Sequence, residues 1–271
     1  MSAELEGNTA TSAAKPLDIV REPRVYLVGR QSLDRDGIAR FLADHGVTWS
    51  TDTEAAGEAL AEMAGRVCYM SYGKGRRTNR EFLAHIVEVG HGSVLEHAVW
   101  SFLITGVSRS FTHELIRHRH FSYSQLSQRY VDESQSAFVE PDAIAGDPAL
   151  HAAWEQAVNA TRAAYDTLVA GLERRFAAEP DRTLRRKMAR QAARSVLPNA
   201  TETRIFVTGN ARAIRHFIEL RGSEHAEVEI RKVALAMLAL MQREAPAMFG
   251  DYTLEPLPDG THAVRTSHPK V

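Results

Sequence analysis

Residues Val94 to Gly106 form an apolar run in which Trp100, Phe102 and Ile104 occupy every second position. Side chains alternate between the two faces of a strand, so these three share one face and the run predicts a long strand. Two shorter apolar runs, each closed by a glycine, predict further strands at Arg24–Gly29 and Thr203–Thr208. The core of this chain is therefore expected to contain strands as well as helices.

Helical patterns fill most of the remaining chain. The expected helices are Asp34–Asp44, Thr53–Arg66, Arg80–Glu88, Pro148–Ala178, Asp181–Val196, Ala211–Leu220 and Glu224–Glu244. A flexible basic turn, Gly73-Lys-Gly75-Arg-Arg, lies within Cys68–Thr78, and Pro258-Asp-Gly260 predicts a hairpin after Asp251. Without an internal repeat or a long linker, the chain is expected to form a single α+β domain over residues 21–271, with a helix-rich C-terminal half. The polar, aperiodic residues 1–20 are expected to be a mobile tail.

The charge balance argues against a nucleic-acid partner, because Lys and Arg total 33 against 34 Asp and Glu, a net charge of -1 at pH 7. Cys68 is the single cysteine, so no intramolecular disulfide and no cysteine-cluster zinc site can form. Its apolar neighbours predict a buried packing residue rather than a nucleophile. No apolar run approaches the roughly 20 residues that span a bilayer, and residues 1–16 lack a signal-peptide pattern. A soluble, cytoplasmic protein without a membrane partner is expected.

Six of the 12 histidines lie between residues 85 and 120, next to the basic segment RHRHFSYSQLSQRY at residues 117–130. Arginine offers five donors in a rigid fork that fits phosphate, and the interleaved Ser and Gln side chains add directional hydrogen bonds. The alternative is a solvated basic loop. Alternating aromatic residues and the absence of Lys favour a binding site for an anionic ligand with further polar groups, such as a nucleotide.

Metal binding is the main rival interpretation of this segment. His113-Glu-Leu-Ile-Arg117 resembles the HExxH pattern but carries Arg where the second histidine is needed. A cation beside Arg117 and Arg119 would also be repelled. No metal cofactor is expected. The chain also has no G-x-S-x-G turn, no G-x-G-x-x-G and no phosphate-binding P-loop motif.

A second group of cationic residues lies nearer the C-terminus. Lys187, Arg190 and Arg194 form one stripe on the expected 181–196 helix, which could equally be a surface stripe paired with acids. Asn210-Ala-Arg212 opens the next helix, whose N-terminal amides favour an anion. His216 shares the face of Arg212 and Arg221 ends the helix. His225 is expected to be a cap or a core histidine.

In their order and spacing, these segments resemble the flavin-dependent thymidylate synthases. The signature RHR…S…S-x-R of that family is matched by Arg117-His118-Arg119, Ser122 and Ser127-x-Arg129. Further matching segments are His91-x-Ser93-x-x-Glu96-His97, Ser108-Arg109, Arg194-x-Val-Leu-Pro198, Asn210-Ala-Arg212 and Arg221-x-x-x-His225. The resemblance covers residues 55 to 250 and implies a mainly antiparallel sheet in the α+β fold.

The resemblance implies a homotetramer, with sites shared between subunits, that methylates dUMP to dTMP. It further implies that 5,10-methylenetetrahydrofolate supplies the carbon and that FAD, reduced by NADPH, supplies the hydride. Members of the family use no cysteine nucleophile, in agreement with the weak case for Cys68. Reduced flavin and substrate positioning carry the chemistry.

Matching positions imply a set of site residues. Those expected to bind dUMP are Glu114, Leu115, Ile116, Arg117, Gln125, Leu126, Ser127, Gln128, Arg129, Arg194 and Arg221. Those expected to bind FAD are Ser93, Glu96, Arg117, His118, Arg119, Gln125, Asn210, Ala211, Arg212 and His216. Arg221 is the expected catalytic residue, because a fixed guanidinium favours the ionised N3 of uracil. Ser127 is expected to donate a hydrogen bond to the nucleotide rather than act as a nucleophile.

The chain departs from the usual family pattern at three positions. Glu114 stands where many members carry Gln, and Gln125 stands where many carry Glu. The carboxylate count is unchanged and both side chains can still bind polar nucleotide atoms. His216 replaces an Asn, which keeps a donor and adds pH dependence or stacking on the flavin.

Two other classes of function were weighed against this enzyme. A nucleic-acid-binding module would use the Arg and aromatic side chains of residues 117–130, but the neutral overall charge and the coherent C-terminal Arg and His residues count against it. A metal-dependent hydrolase is disfavoured by Arg117.

Overall fold

A computed structural model describes residues 16–271. The strands are β1 Ile19–Val20, β2 Arg24–Arg30, β3 Val99–Ser108, β4 Ser122–Gln125, β5 Phe138–Val139, β6 Glu202–Asn210, β7 Tyr252–Pro256 and β8 His262–Thr266. The helices are α1 Arg35–Asp44, α2 Ala56–Tyr69, α3 Asn79–Glu88, α4 Gly92–Leu95, α5 Arg109–Leu115, α6 Asp142–Ala145, α7 Pro148–Arg175, α8 Arg182–Ala193, α9 Ala211–Arg221, α10 Val228–Glu244 and α11 Pro246–Phe249. A 3-10 turn, Arg194–Val196, follows α8.

The main sheet has four strands in the order β2-β3-β6-β4, and every neighbouring pair is antiparallel. Tyr26, Leu103, Phe206 and Ser124 stand opposite one another in one row across it. Strands β1 and β5 form a small parallel pair, and β7 and β8 form the expected terminal hairpin. The α+β fold with a mainly antiparallel sheet is thus confirmed.

One face of this sheet forms the core. Trp100, Phe102 and Ile104 are at most 2% exposed, as their alternation predicts. The helices α3, α9 and α10 supply most of the facing side chains, among them Ile86, Phe217 and Met237. Burial of these apolar side chains is the main force that holds α9, and therefore the residues at both of its ends, against the sheet.

Caps determine where several helices begin. Asp147 accepts hydrogen bonds from the first turn of α7, and Pro148 occupies its first position. Asp181 caps α8 in the same way. Thr78 and Glu81 form a reciprocal capping box at α3. These caps explain why α7, α8 and α3 start at or within a residue or two of the predicted positions.

The strand expected at Val94–Gly106 starts later than predicted, at Val99. Val94 and Leu95 lie in the short helix α4 and are both buried, at 6% and 0% exposure. Adjacent residues on a strand cannot both face one core, so burial of both favours the helical turn over the strand. Similarly, α10 begins at Val228 rather than Glu224.

Two expectations about individual residues are wrong. Cys68 is exposed, because α2 continues beyond Arg66 to Tyr69 and its last turn projects from the core. His225 neither caps a helix nor lies in the core, because its side chain is 87% exposed beyond the end of α9.

Of the expected N-terminal tail, residues 1–15 lie outside the described residues, while Ile19–Val20 form β1. Within residues 16–271, no helix is long and apolar enough to cross a membrane.

Candidate active site

The helix α9 carries candidate residues at both ends. Asn210 caps its N-terminus and accepts a hydrogen bond from the amide of Ala213 at 2.8 Å. Arg212 and His216 are exposed on one face, as the sequence predicts, while Ala211 is buried. Arg221 forms the last residue of the helix. The two ends of an 11-residue helix are separated by about 15 Å.

The Arg117-His118-Arg119 segment forms a turn after α5. The Tyr123 hydroxyl on β4 lies 2.7 Å from the carbonyl oxygen of Leu115 and 2.8 Å from that of His118. Burial raises the pKa of Tyr123, so its hydroxyl remains a proton donor. Tyr123 thereby fixes the turn, while Arg117 and Arg119 remain exposed.

Arg221 is held by two partners from this region. Its Nε donates to Nε2 of His118 at 3.0 Å, and its Nη1 donates to a carboxylate oxygen of Glu114 at 2.7 Å. No acceptor within residues 16–271 contacts its Nη2. The guanidinium plane is therefore fixed by two contacts while donor capacity remains for a ligand.

His118 is neutral at physiological pH. Burial lowers its pKa to about 4, assisted by the positive charge of Arg221 and by His216, whose ring centroid lies 5.9 Å away. Since Nε2 accepts a hydrogen bond from Arg221, the ring proton of His118 resides on Nδ1. His118 acts as an acceptor that orients Arg221 and adds no charge to the site.

Two further carboxyl groups lie next to Glu114. The pKa of Glu227 is raised to about 7, first by a hydrogen bond shared with Glu114 and then by burial. Glu229 accepts hydrogen bonds from the amide and hydroxyl of Ser108, the residue that caps α5. Sequence reasoning missed Glu227 and Glu229, because only the packing of α10 against α5 places them near Glu114.

A cavity of about 210 Å³ lies where the turn meets α9. It is lined by Arg117, His118, Arg119, His120, Phe121, Ala213, His216, Leu220 and Arg221. The lining combines three guanidinium groups with aromatic and apolar side chains. Such a surface suits an anionic ligand with a flat ring system.

A second group of candidates lies along the chain after β4. Gln125 donates to the hydroxyls of Thr112 and Thr203 at 3.1 and 3.4 Å, so it joins α5 to β6. The Ser127 hydroxyl accepts from the amide of Arg129, and Gln128 is buried. Arg109 reaches the carbonyl oxygen of Leu126 at 3.3 Å.

Arg194 belongs with this second group. Burial lowers the pKa of Arg109, and the nearby charge of Arg194 lowers it further. Both arginines are half-buried, and neighbouring cations of this kind favour binding of an anion. Within residues 16–271, no hydrogen bond or ion pair joins Ser127, Arg129 or Arg194 to Arg221.

The stripe on α8 is largely paired with protein groups. Arg190 donates to the carbonyl oxygen of Tyr130 at 2.7 Å and to Asp132 at 3.0 Å. Lys187 lies over the ring of Tyr130, 4.9 Å from its centroid. Lys187 and Arg190 therefore pack against residues 130–132. This leaves Arg194 as the member of the stripe that is available to a ligand.

A third group surrounds the N-terminus of α9. Arg212 forms an ion pair with Glu96 at 2.6 Å, and both side chains are nearly half exposed. The Arg212 side chain crosses Gly92, where an added Cβ would lie 2.8 Å from its Nε. Ser93 is exposed beside them. This group offers hydroxyl and guanidinium donors at one surface.

The model of the family described as thymidylate synthase complementing protein matches residues 51–247 of this chain. The chain belongs to this family. Among curated relatives, a flavin-dependent thymidylate synthase of Mycobacterium avium (strain 104) is 58% identical over 224 residues, which cover 82% of this chain and 89% of the relative. Another from Mycobacterium sp. (strain JLS) is 55% identical over 250 residues, covering 90% and 95%.

A solved structure supports the fold of this protein. The UMP/dUMP methylase PolB from Streptomyces cacaoi, bound with 5-Br UMP, aligns with a TM-score of 0.62 at 22% identity. The alignment covers 87% of this chain and 96% of that one. Within the part of the chain described, no group of three or more His, Cys, Asp and Glu side chains is arranged to hold a metal ion.

Proposed function

We propose that the protein is a flavin-dependent thymidylate synthase that methylates dUMP to dTMP. In this proposal 5,10-methylenetetrahydrofolate donates the carbon, and NADPH reduces the flavin. The observation that carries it is the guanidinium of Arg221, fixed by Glu114 and His118 at the edge of the cavity. The names of the closely similar mycobacterial relatives support the same reaction.

Arg221 would act on the pyrimidine as the catalytic residue. A guanidinium beside N3 lowers the pKa of that group and stabilises its anion, which raises the electron density at C5. Because His118 is neutral, its ring accepts a hydrogen bond from Arg221 instead of repelling the guanidinium. Glu114 offsets part of that charge, so this chain tunes the site differently from relatives that carry Gln.

The remaining nucleotide contacts would come from the segment after β4. Ser127, Arg129 and Arg194 supply a hydroxyl and two guanidinium groups, the donor types that bind a phosphate. The polar side chains of Gln125 and Gln128 and the backbone of residues 114–117 and 126 complete the proposed dUMP site. Ser127 serves as a donor because no general base accepts its proton within the described residues.

The residues around α9 fit a flavin dinucleotide. Ser93, Arg212 and the helix N-terminus capped by Asn210 offer hydrogen-bond donors for its diphosphate, while His216 and the 117–119 turn offer a ring and cations. When bound, FAD would supply the hydride. Glu96 and Gln125 would orient polar flavin atoms, and the backbone of Ala211 lies between the capping and cationic residues.

We further propose a homotetramer whose sites are shared between subunits. The Arg221 group and the Ser127, Arg129 and Arg194 group make no direct contact within the described chain, so a site that needs both is more simply completed by a second copy. The outer face of the sheet supports assembly, because Phe206 and Tyr26 are 40% and 45% exposed there. We place this assembly in the cytoplasm, where a single unpaired cysteine stays reduced.

The direct test uses purified protein incubated with FAD. A visible flavin spectrum that survives gel filtration is expected, and dUMP with methylenetetrahydrofolate should accelerate NADPH oxidation and yield dTMP. Protein that stays colourless, and whose NADPH oxidation does not respond to dUMP, would overturn the proposal. Measuring dTMP separates the synthase from a flavoprotein that only oxidises NADPH.

A further inference from the structure

A second cavity, of about 310 Å³, lies away from Arg221, between the segment before α2 and the loop that joins α2 to α3. Its wall includes Trp49, Arg66, Gly73, Gly75, Arg76 and Arg77. None of these residues belongs to the proposed dUMP or flavin sites. The α2–α3 loop, residues 71–77, is the basic turn noted in the sequence.

The α2–α3 loop is built around a buried arginine. The side chain of Arg66 is 5% exposed and donates to the carbonyl oxygens of Ser71, Lys74 and Arg76 at 3.1, 3.3 and 3.0 Å. Gly73 and Gly75 adopt positive φ values of 63° and 78°, which a loop of this curvature requires. The loop therefore has a defined shape, and its backbone oxygens are directed toward Arg66.

Glu62, the acid that pairs with Arg66, is already neutralised. Glu62 accepts hydrogen bonds from Arg66 at 2.7 Å, from Thr51 at 2.8 Å and from Asn79 at 2.9 Å. By contrast, the side chains of Lys74, Arg76 and Arg77 are exposed, and no carboxylate of residues 16–271 forms an ion pair with them. Glu81 accepts a hydrogen bond from the backbone amide of Arg77 at 3.3 Å. The cavity thus has a positive wall whose guanidinium forks fit a phosphate.

Unpaired hydroxyl groups provide a second observation. The Ser71 Oγ and the Tyr72 Oη have no hydrogen-bond partner. They precede Gly73 in the α2–α3 loop and do not themselves line the cavity. Buried polar atoms are nearly always satisfied in folded proteins, so such a pair indicates missing partners.

The loop begins beside the proposed flavin site. The Tyr69 hydroxyl at the end of α2 is hydrogen-bonded to Nδ1 of His91, and the two rings stack with centroids 5.6 Å apart. His91 immediately precedes Gly92 and Ser93. Five residues lie between Tyr69 and Gly75, so the two Cα atoms are at most about 20 Å apart. A ligand in the cavity can therefore extend toward the flavin.

From these features we infer that the cavity binds the 2′-phosphoadenosine end of NADPH, with Arg76 and Arg77 on the 2′-phosphate and Trp49 beside the adenine ring. Trp49 is half-buried in the wall and offers an aromatic face for a base. The inference rests on the proposed use of NADPH. It adds that this chain selects NADPH over NADH at a site separate from the flavin.

The test compares the FAD-loaded wild-type protein with Arg76→Gln/Arg77→Gln. In calorimetric titration, the double variant should bind adenosine 2′,5′-bisphosphate at least about tenfold more weakly than the wild type. In anaerobic flavin reduction, the KM for NADPH should rise by a similar factor while the KM for NADH stays unchanged. Arg80→Gln, which removes one positive charge on the first turn of α3 outside the cavity, should leave all three values within about twofold.

Several outcomes would overturn this assignment. Unchanged bisphosphate affinity in the double variant would place the phosphate elsewhere. Equal changes in the KM values for NADPH and NADH would indicate a general effect on the fold. A rise in the KM for methylenetetrahydrofolate alone would identify the anion as a folate carboxylate. If the wild type binds the bisphosphate through Arg76 and Arg77 but NADPH never reduces its flavin, the proposed function fails and the phosphate site stands.

Discussion

Acid should destabilise the folded protein through His118. Its pKa is lowered from 6.5 to about 4, because the ring is buried and lies next to Arg221 and His216. Between these two pH values the unfolded chain binds a proton that the folded chain does not, so the free energy of unfolding decreases as the pH falls. The full effect is roughly 3 kcal/mol, of which about 2 kcal/mol should be lost between pH 7 and pH 4.5.

Urea unfolding at pH 7 and pH 4.5, at one fixed protein concentration, measures this loss. The matched variant is His118→Gln, since an amide oxygen can accept the hydrogen bond from Arg221 but does not titrate. The wild type should lose about 2 kcal/mol more than the variant over this interval. His225→Gln is the control, because that side chain is 87% exposed and should behave like the wild type.

Equal losses in the wild type and His118→Gln would refute this reasoning and the neutral state of His118. Arg221→Met gives an independent check, because it removes one of the charges that lower the His118 pKa. The ring resonances of His118 should then titrate at a higher pH. An unchanged titration would mean that burial alone sets the value.

Three further predictions follow from the site. Arg221→Lys should retain flavin absorbance but form dTMP roughly 100-fold more slowly, because a lysine ammonium cannot reproduce the planar fork by which the guanidinium contacts Glu114 and His118; near-normal turnover would remove Arg221 from its role. Cys68→Ala should change neither activity nor melting temperature, since Cys68 is exposed, and a folded but inactive variant would reopen the question of a thiol. Glu114→Gln should lower the pKa of Glu227 from about 7, which carboxyl NMR would detect; a value that stays near 7 would exclude Glu114 as the cause.

The sequence predicts local structure well where one physical pattern dominates. The period-two alternation at Trp100, Phe102 and Ile104 predicts the buried face of β3, and the helical pattern from Pro148 predicts the start of α7. By contrast, β4 is a polar strand, Ser122–Gln125, without apolar alternation. Its pairing with β6 depends on a strand about 80 residues away, which no local pattern reports.

The candidate site likewise contains features that the sequence predicts and contacts that it does not. Motif spacing brought Arg117 to Arg119 and Arg221 into one expected site, and the structure places them around one cavity. The contacts that orient Arg221 were not predictable, because Glu114 and His118 lie more than 100 residues from it in the chain. The predicted burial of Cys68 was wrong for a related reason, because apolar neighbours in the sequence do not determine which face of a helix end meets the core.

The rigidity of α9 gives these contacts their functional meaning. Ile214, Phe217 and Ile218 are fully buried, so the helix cannot shift without exposing core side chains. It holds Arg212 at one end and Arg221 at the other, at a separation of about 15 Å set by its length. Because Arg221 is also fixed by α5 and by the 117–119 turn, its fork is oriented before any ligand arrives. In the proposed reaction, such preorganisation would strengthen electrostatic stabilisation, since the site need not rearrange when charge develops on the substrate.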